Sequence, residues 1–285
     1  MAIETDGSIV KDNRIKKIAI LFIVSSIIFN PYAATLIYKL TEQSEKPICI
    51  IHAGKSKFTK LKKNLSQIGY RATLKKILQS YRQTGPVIET NKNYLEEYAL
   101  SNHISDWNAS LQAICKKEGI DYLKVDNVNS RRTVDYVKNR NLDILINAGG
   151  EIFRQDIISA PRIGILNAHM ASLPAFRGMN VLEWSLFYGH QIGVSLHFIN
   201  QGIDTGDVLL FREIQIEKGD SIDTLRAKSL VVNVELMVKG INSIKNKKEK
   251  RTIQELAKGK QYFVMHERLK QLVDRKLQDK LEKTE

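Results

Sequence analysis

The sequence Ile-Gly-Ile-Leu-Asn-Ala-His, at positions 163–169, opens the stretch that decides the fold of this chain. Its first four residues predict a buried strand, and two polar side chains follow, Asn167 and His169. Residues two apart on an extended backbone point to the same face, and open α/β sheets place their ligands at strand ends. We therefore expect an amide and an imidazole to project side by side from the end of a strand.

Three further segments belong to this stretch. They are Ser-Leu-Pro-Ala-Phe-Arg-Gly at 172–178, an apolar strand over Gly193–Ile199, and Gly-Ile-Asp-Thr-Gly-Asp at 202–207. Asp204 lies in the last of these, a glycine-flanked turn that a hairpin can fold back toward the preceding strand. Asn167, His169 and Asp204 are the side chains in this stretch that are suited to acyl-group chemistry. Taken alone, each of them is better explained by a turn or surface role.

The composition is that of an ordinary soluble globular protein. The chain has 285 residues, 43% of them hydrophobic and 26% charged, which allows one large or two small domains with ample core. Cys49 and Cys115 provide neither a disulfide framework nor the spacing of a zinc site. We therefore expect no metal and a reducing, cytoplasmic location.

The formal net charge of +13 is concentrated in two regions, Lys55–Arg82 and the tail from Lys245. Neither region contains a nucleic-acid motif with regularly spaced stacking aromatics, so a nucleic-acid partner is not expected. A solvated basic face is the preferred interpretation. The alternative is that the charge attracts an anionic substrate.

The N-terminal part predicts a βαβ unit after a disordered segment at 1–14. The strand is Ile18–Val24, the helix runs from about Pro31 to Leu40, and the second strand is Lys46–His52. Polar residues and a proline interrupt the uncharged stretch at 18–38, which argues against a membrane span. We therefore expect no membrane partner.

The middle of the chain continues the alternation of helices and strands. After a basic helical insertion at about 55–100, the pattern predicts a helix from Trp107 to Glu118, capped near Asp106, and a second helix at Arg131–Arg140 capped by Ser130. The strands Asp121–Val125 and Leu142–Ala148 accompany these helices. One domain is expected over 15–244, followed by a charged helical extension at 245–285 that packs one face on the domain.

The ordered combination of motifs resembles the N10-formyltetrahydrofolate-dependent formyltransferases. Asn-x-His at 167–169, Ser-Leu-Pro-x-Phe-Arg-Gly at 172–178, the strand with His197 and Gly-Ile-Asp-x-Gly at 202–206 carry the resemblance, which is strong over roughly 140–230. The family includes glycinamide ribonucleotide, methionyl-tRNA and sugar-nucleotide formyltransferases. The resemblance implies an α/β fold, with a Rossmann-like, mostly parallel sheet flanked by helices, and N10-formyltetrahydrofolate as the formyl donor.

The resemblance also implies that Asn167, His169 and Asp204 are the catalytic trio. Formyl transfer to an amine passes through a tetrahedral oxyanion, which needs hydrogen-bond donors, and releases a proton, which needs an acceptor. Asn167 and a protonated His169 can donate to the oxyanion, and Asp204 can accept the proton. His197 matches a second family histidine with an orienting role, although a packed strand histidine is an equally good interpretation.

By the same resemblance, two further sets of residues line the site. The folate set, which supplies backbone groups and apolar walls, is Ala148, Gly149, Gly150, Glu151, Ile152, Phe153, Gly202 and Ile203. The acceptor set matches the family loop near the acceptor amine and is Phe176, Arg177, Gly178, Met179 and Asn180. Arg177 is predicted to hold an anionic group of the acceptor, although an isolated arginine is more often solvated.

The departures from the family pattern narrow the acceptor by elimination. Met170 stands where the family usually has proline, which alters the stiffness of the loop. The loop after the first strand lacks the glycine-rich phosphate turn of the glycinamide ribonucleotide enzymes. The tail reads as helical and is too short for the β-barrel that the methionyl-tRNA enzymes add. A small-molecule amine remains, such as an amino sugar nucleotide.

Four alternative functions stay open. Two keep the formyl donor and replace the acceptor with glycinamide ribonucleotide or methionyl-tRNA. A third hydrolyses the formyl donor, so that water replaces the amine. The fourth is a non-catalytic module whose basic insertion binds an acidic partner. The sequence predicts no oligomeric state.

Overall fold

A computed structural model of the protein describes residues 18–23, 30–54, 93–149 and 152–282. Its nine strands are β1 (Ile18–Ile23), β2 (Cys49–Ala53), β3 (Asp121–Val125), β4 (Ile144–Asn147), β5 (Gly164–His169), β6 (Phe176–Gly178), β7 (Gly193–Phe198), β8 (Val208–Glu213) and β9 (Lys260–Tyr262). Seven form the main sheet in the order β3-β2-β1-β4-β5-β7-β8. The first five of these are mutually parallel, whereas β7 runs antiparallel to both β5 and β8. The predicted Rossmann-like, mostly parallel sheet is confirmed.

Eight α-helices accompany the strands in the described part of the chain. They are α1 (Pro31–Glu42), α2 (Tyr94–Ser101), α3 (Leu111–Glu118), α4 (Arg131–Asn139), α5 (Gln155–Ile158), α6 (Val181–Phe187), α7 (Ile222–Lys245) and α8 (Glu267–Glu282). Side-chain caps define several of the starts, because they satisfy backbone N–H groups that the first turn leaves free. Ser130 caps α4 as predicted, and Ser221 forms a capping box with Thr224 at the start of α7.

The helix that was predicted to begin at Trp107 starts four residues later, at Leu111. Ser110 is its cap and accepts a backbone N–H from the first turn. Asp106, the predicted cap, instead binds the Lys117 ammonium at 2.5 Å. A tertiary ion pair therefore takes the carboxylate that the local pattern had assigned to capping.

The core lies on both faces of the sheet, and β4 shows why. All four of its residues are buried. Ile144 and Ile146 pack with α1 and α7 on one face, whereas Leu145 packs on the other with residues of α4 and α5. A parallel strand that is covered on both sides must be apolar throughout, which explains the unbroken hydrophobic run in the sequence.

The C-terminal region contains a strand in addition to the predicted helix. β9 pairs in parallel with β6 in a separate two-stranded sheet that places Gly178 opposite Tyr262. Gly178 has φ 100°, and a Cβ there would collide with the Tyr262 carbonyl oxygen, so only glycine fits this crossing. α8 buries Val273 and Leu277 and leaves most of its other side chains partly or fully exposed, as the helical periodicity predicted.

Two expectations lie outside the described residues, namely the disordered segment at 1–14 and most of the basic insertion, which falls within 55–92. Over the residues that the structure describes, none of the helices combines the length and the apolar character needed to cross a membrane.

Candidate active site

The candidate site begins as a row of polar side chains across three neighbouring strands. The register of the sheet pairs Asn147 at the end of β4 with Asn167 of β5, and Asn167 with His197 of β7. Asn147 and His197 are buried. Buried polar groups cost free energy unless they are paired, and these three side chains satisfy one another.

A continuous hydrogen-bond chain fixes the orientation of each of these groups. Asn147 Oδ1 accepts the backbone N–H of Gly149 at 3.1 Å, and Asn147 Nδ2 donates to Asn167 Oδ1 at 2.9 Å. Asn167 Nδ2 then faces His197 Nε2 at 3.0 Å. His197 Nδ1 lies 2.8 Å from the Phe198 carbonyl, to which it can only donate. One N–H of the Asn167 amide is therefore used internally, and the other remains available for a ligand.

His197 stays neutral because it is buried. Burial, reinforced by the nearby imidazole of His169, lowers the pKa of His197 from 6.5 to about 4. A neutral ring with its proton on Nδ1 presents a lone pair at Nε2 to the Asn167 amide. His197 thus holds the amide in place and takes no proton at neutral pH.

We expect the lowered pKa of His197 to make the protein acid-sensitive. Between about pH 6.5 and pH 4 the unfolded chain binds this proton and the folded chain does not, so the free energy of unfolding falls as the pH falls through that window. The loss should be about 2 to 3 kcal/mol between about pH 7 and pH 4.5. Urea unfolding at the two pH values measures it.

The matched variants for this test are His197→Gln and His190→Gln. His190 is exposed, so its replacement should leave the acid-induced loss unchanged. His197→Gln should remove most of the loss. An equal acid-induced loss in both variants would show that another group causes it.

His169 and Asp204 form the second half of the site. His169 is buried, and its Nε2 donates to the Phe176 carbonyl at 2.9 Å. Its Nδ1 faces Asp204 Oδ2 at 3.5 Å. Because Nε2 carries a proton in this arrangement, the neutral ring would point a lone pair at a carboxylate, whereas the protonated ring would be attracted to it. When protonated, His169 can therefore donate from Nδ1 toward the Asp204 carboxylate.

The turn that carries Asp204 is held from two directions. Asp204 itself has φ 52°, and its Oδ2 accepts the backbone N–H of Gly178 at 2.8 Å. Gln254 Nε2 donates to the backbone carbonyls of Asp204 and Gly206 at 3.0 and 2.5 Å. The C-terminal region thus fixes the turn, and the predicted hairpin brings Asp204 back to His169.

A cavity of about 660 Å³ opens over these groups. It is lined by Asn167, His169, His197 and Asp204 and by the predicted residues Gly149, Ile152, Phe153, Gly178, Met179, Asn180, Gly202 and Ile203. Its volume is in the range of small-molecule and cofactor sites. The structure thus brings together the predicted trio and most of both predicted binding sets.

Some predicted residues are placed elsewhere. Phe176 is buried and stacks on Tyr262, with ring centroids 5.1 Å apart. Arg177 does not line the cavity, because its guanidinium extends toward the Gly259 carbonyl at 3.4 Å. Ala148 lies beside the cavity, and its carbonyl accepts from Asn30. Gly150 and Glu151 fall outside the described residues.

Several residues of the site were not predicted from the sequence. Asn147 lies at the end of an apolar strand, and only its pairing with Asn167 in the sheet register could have indicated that it belongs to the site. Gln254, Tyr262 and Phe263 come from the tail, and Arg226 comes from the first turns of α7. Nothing local marks these four, because their role depends on long-range packing. Within the described ranges, no cluster of three or more His, Cys, Asp or Glu side chains could hold a metal ion.

Comparison with known sequences agrees with this geometry. A sequence model of the family described as formyl transferase matches residues 63–241, which is more than half of the chain. A methionyl-tRNA formyltransferase from Prochlorococcus marinus is 32% identical over 135 residues, which cover 47% of this chain and 40% of that protein. One from Thermodesulfovibrio yellowstonii is 36% identical over 102 residues, covering 35% and 33%. The matched region thus spans less than half the length of these curated relatives.

Solved structures share the fold at low sequence identity. A sugar N-formyltransferase from a Shewanella species superposes with a TM-score of 0.54 at 13% identity, covering 90% of this chain and 86% of that one. A phosphoribosylglycinamide formyltransferase from Anaplasma phagocytophilum gives a TM-score of 0.54 at 15% identity, covering 81% and 89%. Together with the family match, these likenesses confirm the resemblance seen in the sequence, and the chain belongs to the formyl transferase family.

Proposed function

We propose that this protein transfers the formyl group of N10-formyltetrahydrofolate to a primary amine of a small molecule, in the cytoplasm. The observation that carries the proposal is the convergence of Asn167, His169 and Asp204 on one cavity. An amide donor, an imidazole and a carboxylate are the groups that formyl transfer requires. They come from a strand and a distant turn. Hydrogen bonds with Asn147, the Phe176 carbonyl and the Gly178 N–H orient Asn167, His169 and Asp204, respectively, before any ligand arrives.

The donor is assigned to the part of the cavity lined by Gly149, Ile152, Phe153, Gly202 and Ile203. Backbone groups of the two loops can hydrogen-bond a pterin ring, and the apolar side chains can cover its faces. The formyl carbon would then lie within reach of Asn167 and His169. Two solved structures with this fold hold 5-formyltetrahydrofolate or folinic acid by name, which supports folate as the donor class.

The reaction follows from the orientation of the groups. The free N–H of Asn167 and the Nδ1–H of a protonated His169 donate to the formyl oxygen as it gains negative charge, while Nε2 stays bonded to the Phe176 carbonyl. The amine nitrogen bonds to the formyl carbon and loses a proton to Asp204, directly or through water. The bond to N10 then breaks, and N10 takes up a proton as tetrahydrofolate leaves. Preorganised donors lower the barrier because they need no reorganisation during the step.

An amino sugar attached to a nucleotide is the proposed acceptor. Solved structures with this fold include sugar N-formyltransferases, and the cavity mouth offers apolar side chains, Met179 and Phe263, beside polar ones. The curated relatives act on methionyl-tRNA by name, and other solved structures are glycinamide ribonucleotide enzymes. Those acceptors are therefore the competing outcomes of an acceptor screen.

Binding of a stable folate tests the donor site. We expect 5-formyltetrahydrofolate to bind with a micromolar dissociation constant and Ile152→Asp to weaken it at least about tenfold, because the substitution places a charge against an apolar ring face. Ile253→Asp is the matched control. Both isoleucines are largely exposed, at 72% and 79%, but only Ile152 lines the cavity. Calorimetry that shows no binding by the wild type, or equal weakening in both variants, would reject the assignment.

A further inference from the structure

Arg226 occupies a distinctive place in the cavity wall. Among the described residues that line the cavity, it is the one arginine, and no lysine joins it. Its side chain is 37% exposed, so a bound molecule can reach it. The sequence had suggested Arg177 as the anion contact of the site, but that side chain is directed away from the cavity.

A buried carboxylate holds Arg226 in position. Its Nη2 donates to Glu183 Oε1, which also accepts from Asn180 Nδ2 at 3.1 Å. Asn180 Oδ1 in turn accepts the backbone N–H of Met265 at 3.0 Å. Glu183 is 1% exposed, so its charge must be paired, and the pairing removes the freedom of the arginine side chain.

The ion pair leaves part of the guanidinium for a ligand. Guanidinium has five N–H donors in a fixed fork. Among the residues that the structure describes, Arg226 donates one hydrogen bond, from Nη2 to Glu183. Its remaining N–H groups can therefore donate to two oxygens of a phosphate or carboxylate, the geometry in which arginine binds such groups most strongly.

The surroundings of Arg226 match such a molecule. Met179 and Phe263 flank the same cavity and are 58% and 71% exposed. Trp184 Nε1 donates to the Phe263 carbonyl at 2.9 Å and so fixes that part of the rim. A cavity lined by a fixed arginine and by two exposed apolar side chains suits a molecule that carries an anionic group and an apolar ring face.

We infer that the acceptor amine carries a phosphate or carboxylate group and that Arg226 binds this group, with Glu183 as its positioning residue. The inference rests on the proposed function, since it assigns a binding residue to the anionic group of the acceptor whose amine is formylated. It narrows the acceptor to anionic amines, which include sugar nucleotides and phosphorylated amines.

The test measures the binding of simple anions by calorimetry, with the folate site saturated by 5-formyltetrahydrofolate. The probes are inorganic pyrophosphate and malonate, which separate phosphate from carboxylate recognition, and thymidine, which is uncharged. We expect one of the anions to bind the wild type and Arg226→Ala to weaken it at least about tenfold, as expected for losing a charge-assisted contact. Arg226→Lys should retain part of the affinity, because it keeps the charge and loses the fork.

Two further variants separate the roles. Arg131→Ala is the matched control, because its side chain is 94% exposed and lies outside the cavity; it should bind like the wild type. Glu183→Gln should weaken anion binding without changing the affinity for 5-formyltetrahydrofolate. The substitution removes only the ion pair that holds the Arg226 side chain in position.

Three outcomes would overturn the inference. In the first, the anions bind Arg226→Ala as they bind the wild type. In the second, neither anion binds the wild type although 5-formyltetrahydrofolate does. In the third, Arg226→Ala weakens 5-formyltetrahydrofolate itself, which would assign the arginine to the carboxylates of the donor. If the wild type binds no folate, the proposed function fails and this inference falls with it.

Discussion

Replacing His169 with asparagine is expected to slow formyl transfer about a thousandfold, the scale of losing an oxyanion donor or a general acid–base group. The imidazole lies between the Phe176 carbonyl, 2.9 Å from Nε2, and Asp204, 3.5 Å from Nδ1. Asparagine cannot take up and release a proton as the imidazole can. The turnover number measured with saturating donor and acceptor gives the effect.

His190→Asn is the control for this change, because His190 is exposed and lies outside the cavity. It should leave the turnover number unchanged. His169→Asn should still bind 5-formyltetrahydrofolate, since the loss concerns the transition state and not the ground-state complex. A turnover number within tenfold of the wild type would show that His169 takes no part in the reaction.

Asp204→Asn is expected to have a comparable effect for a different reason. An asparagine at this position can still accept the Gly178 N–H through Oδ1, so the turn should keep its structure. The substitution removes the negative charge that faces His169 and the group that takes the proton from the amine. We expect a loss of about a thousandfold in the turnover number, with little change in thermal stability.

Asp207→Asn provides the matched control, since Asp207 lies three residues further along the same turn and does not line the cavity. Its activity should be that of the wild type. If the two variants lost activity equally, the effect would come from the turn and not from the carboxylate of Asp204.

The sequence predicted the sheet well because strand formation here depends on local apolar runs. β3 was predicted with its observed bounds, and β1, β4 and β7 differ from the predictions by one or two residues at an end. The start of α3 was placed too early, since Asp106 is engaged by Lys117 and Ser110 caps the helix. Local patterns indicate where a helix can begin, whereas tertiary contacts decide which capping residue is used.

The residues of the candidate site likewise fall into those that a local motif predicts and those that only tertiary packing brings to the site. Asn167, His169 and Asp204 could be selected because their motif lies in one continuous stretch, and the structure places all three at the cavity. Arg177 was expected to face the acceptor, but pairing of β6 with β9 directs it toward Gly259. Arg226 supplies a cation instead, from a helix that begins 44 residues after Gly178. Only the folded chain brings these residues together.

The most direct test of the account follows a ¹³C-labelled formyl group from N10-formyltetrahydrofolate by NMR. The acceptors offered are amino sugar nucleotides, glycinamide ribonucleotide and methionyl-tRNA. We expect the wild type to move the label into a formamide on one small-molecule amine, and His169→Asn to do so about a thousandfold more slowly. Label that appears only as free formate, at a rate independent of every amine, would contradict amine transfer and indicate hydrolysis of the donor.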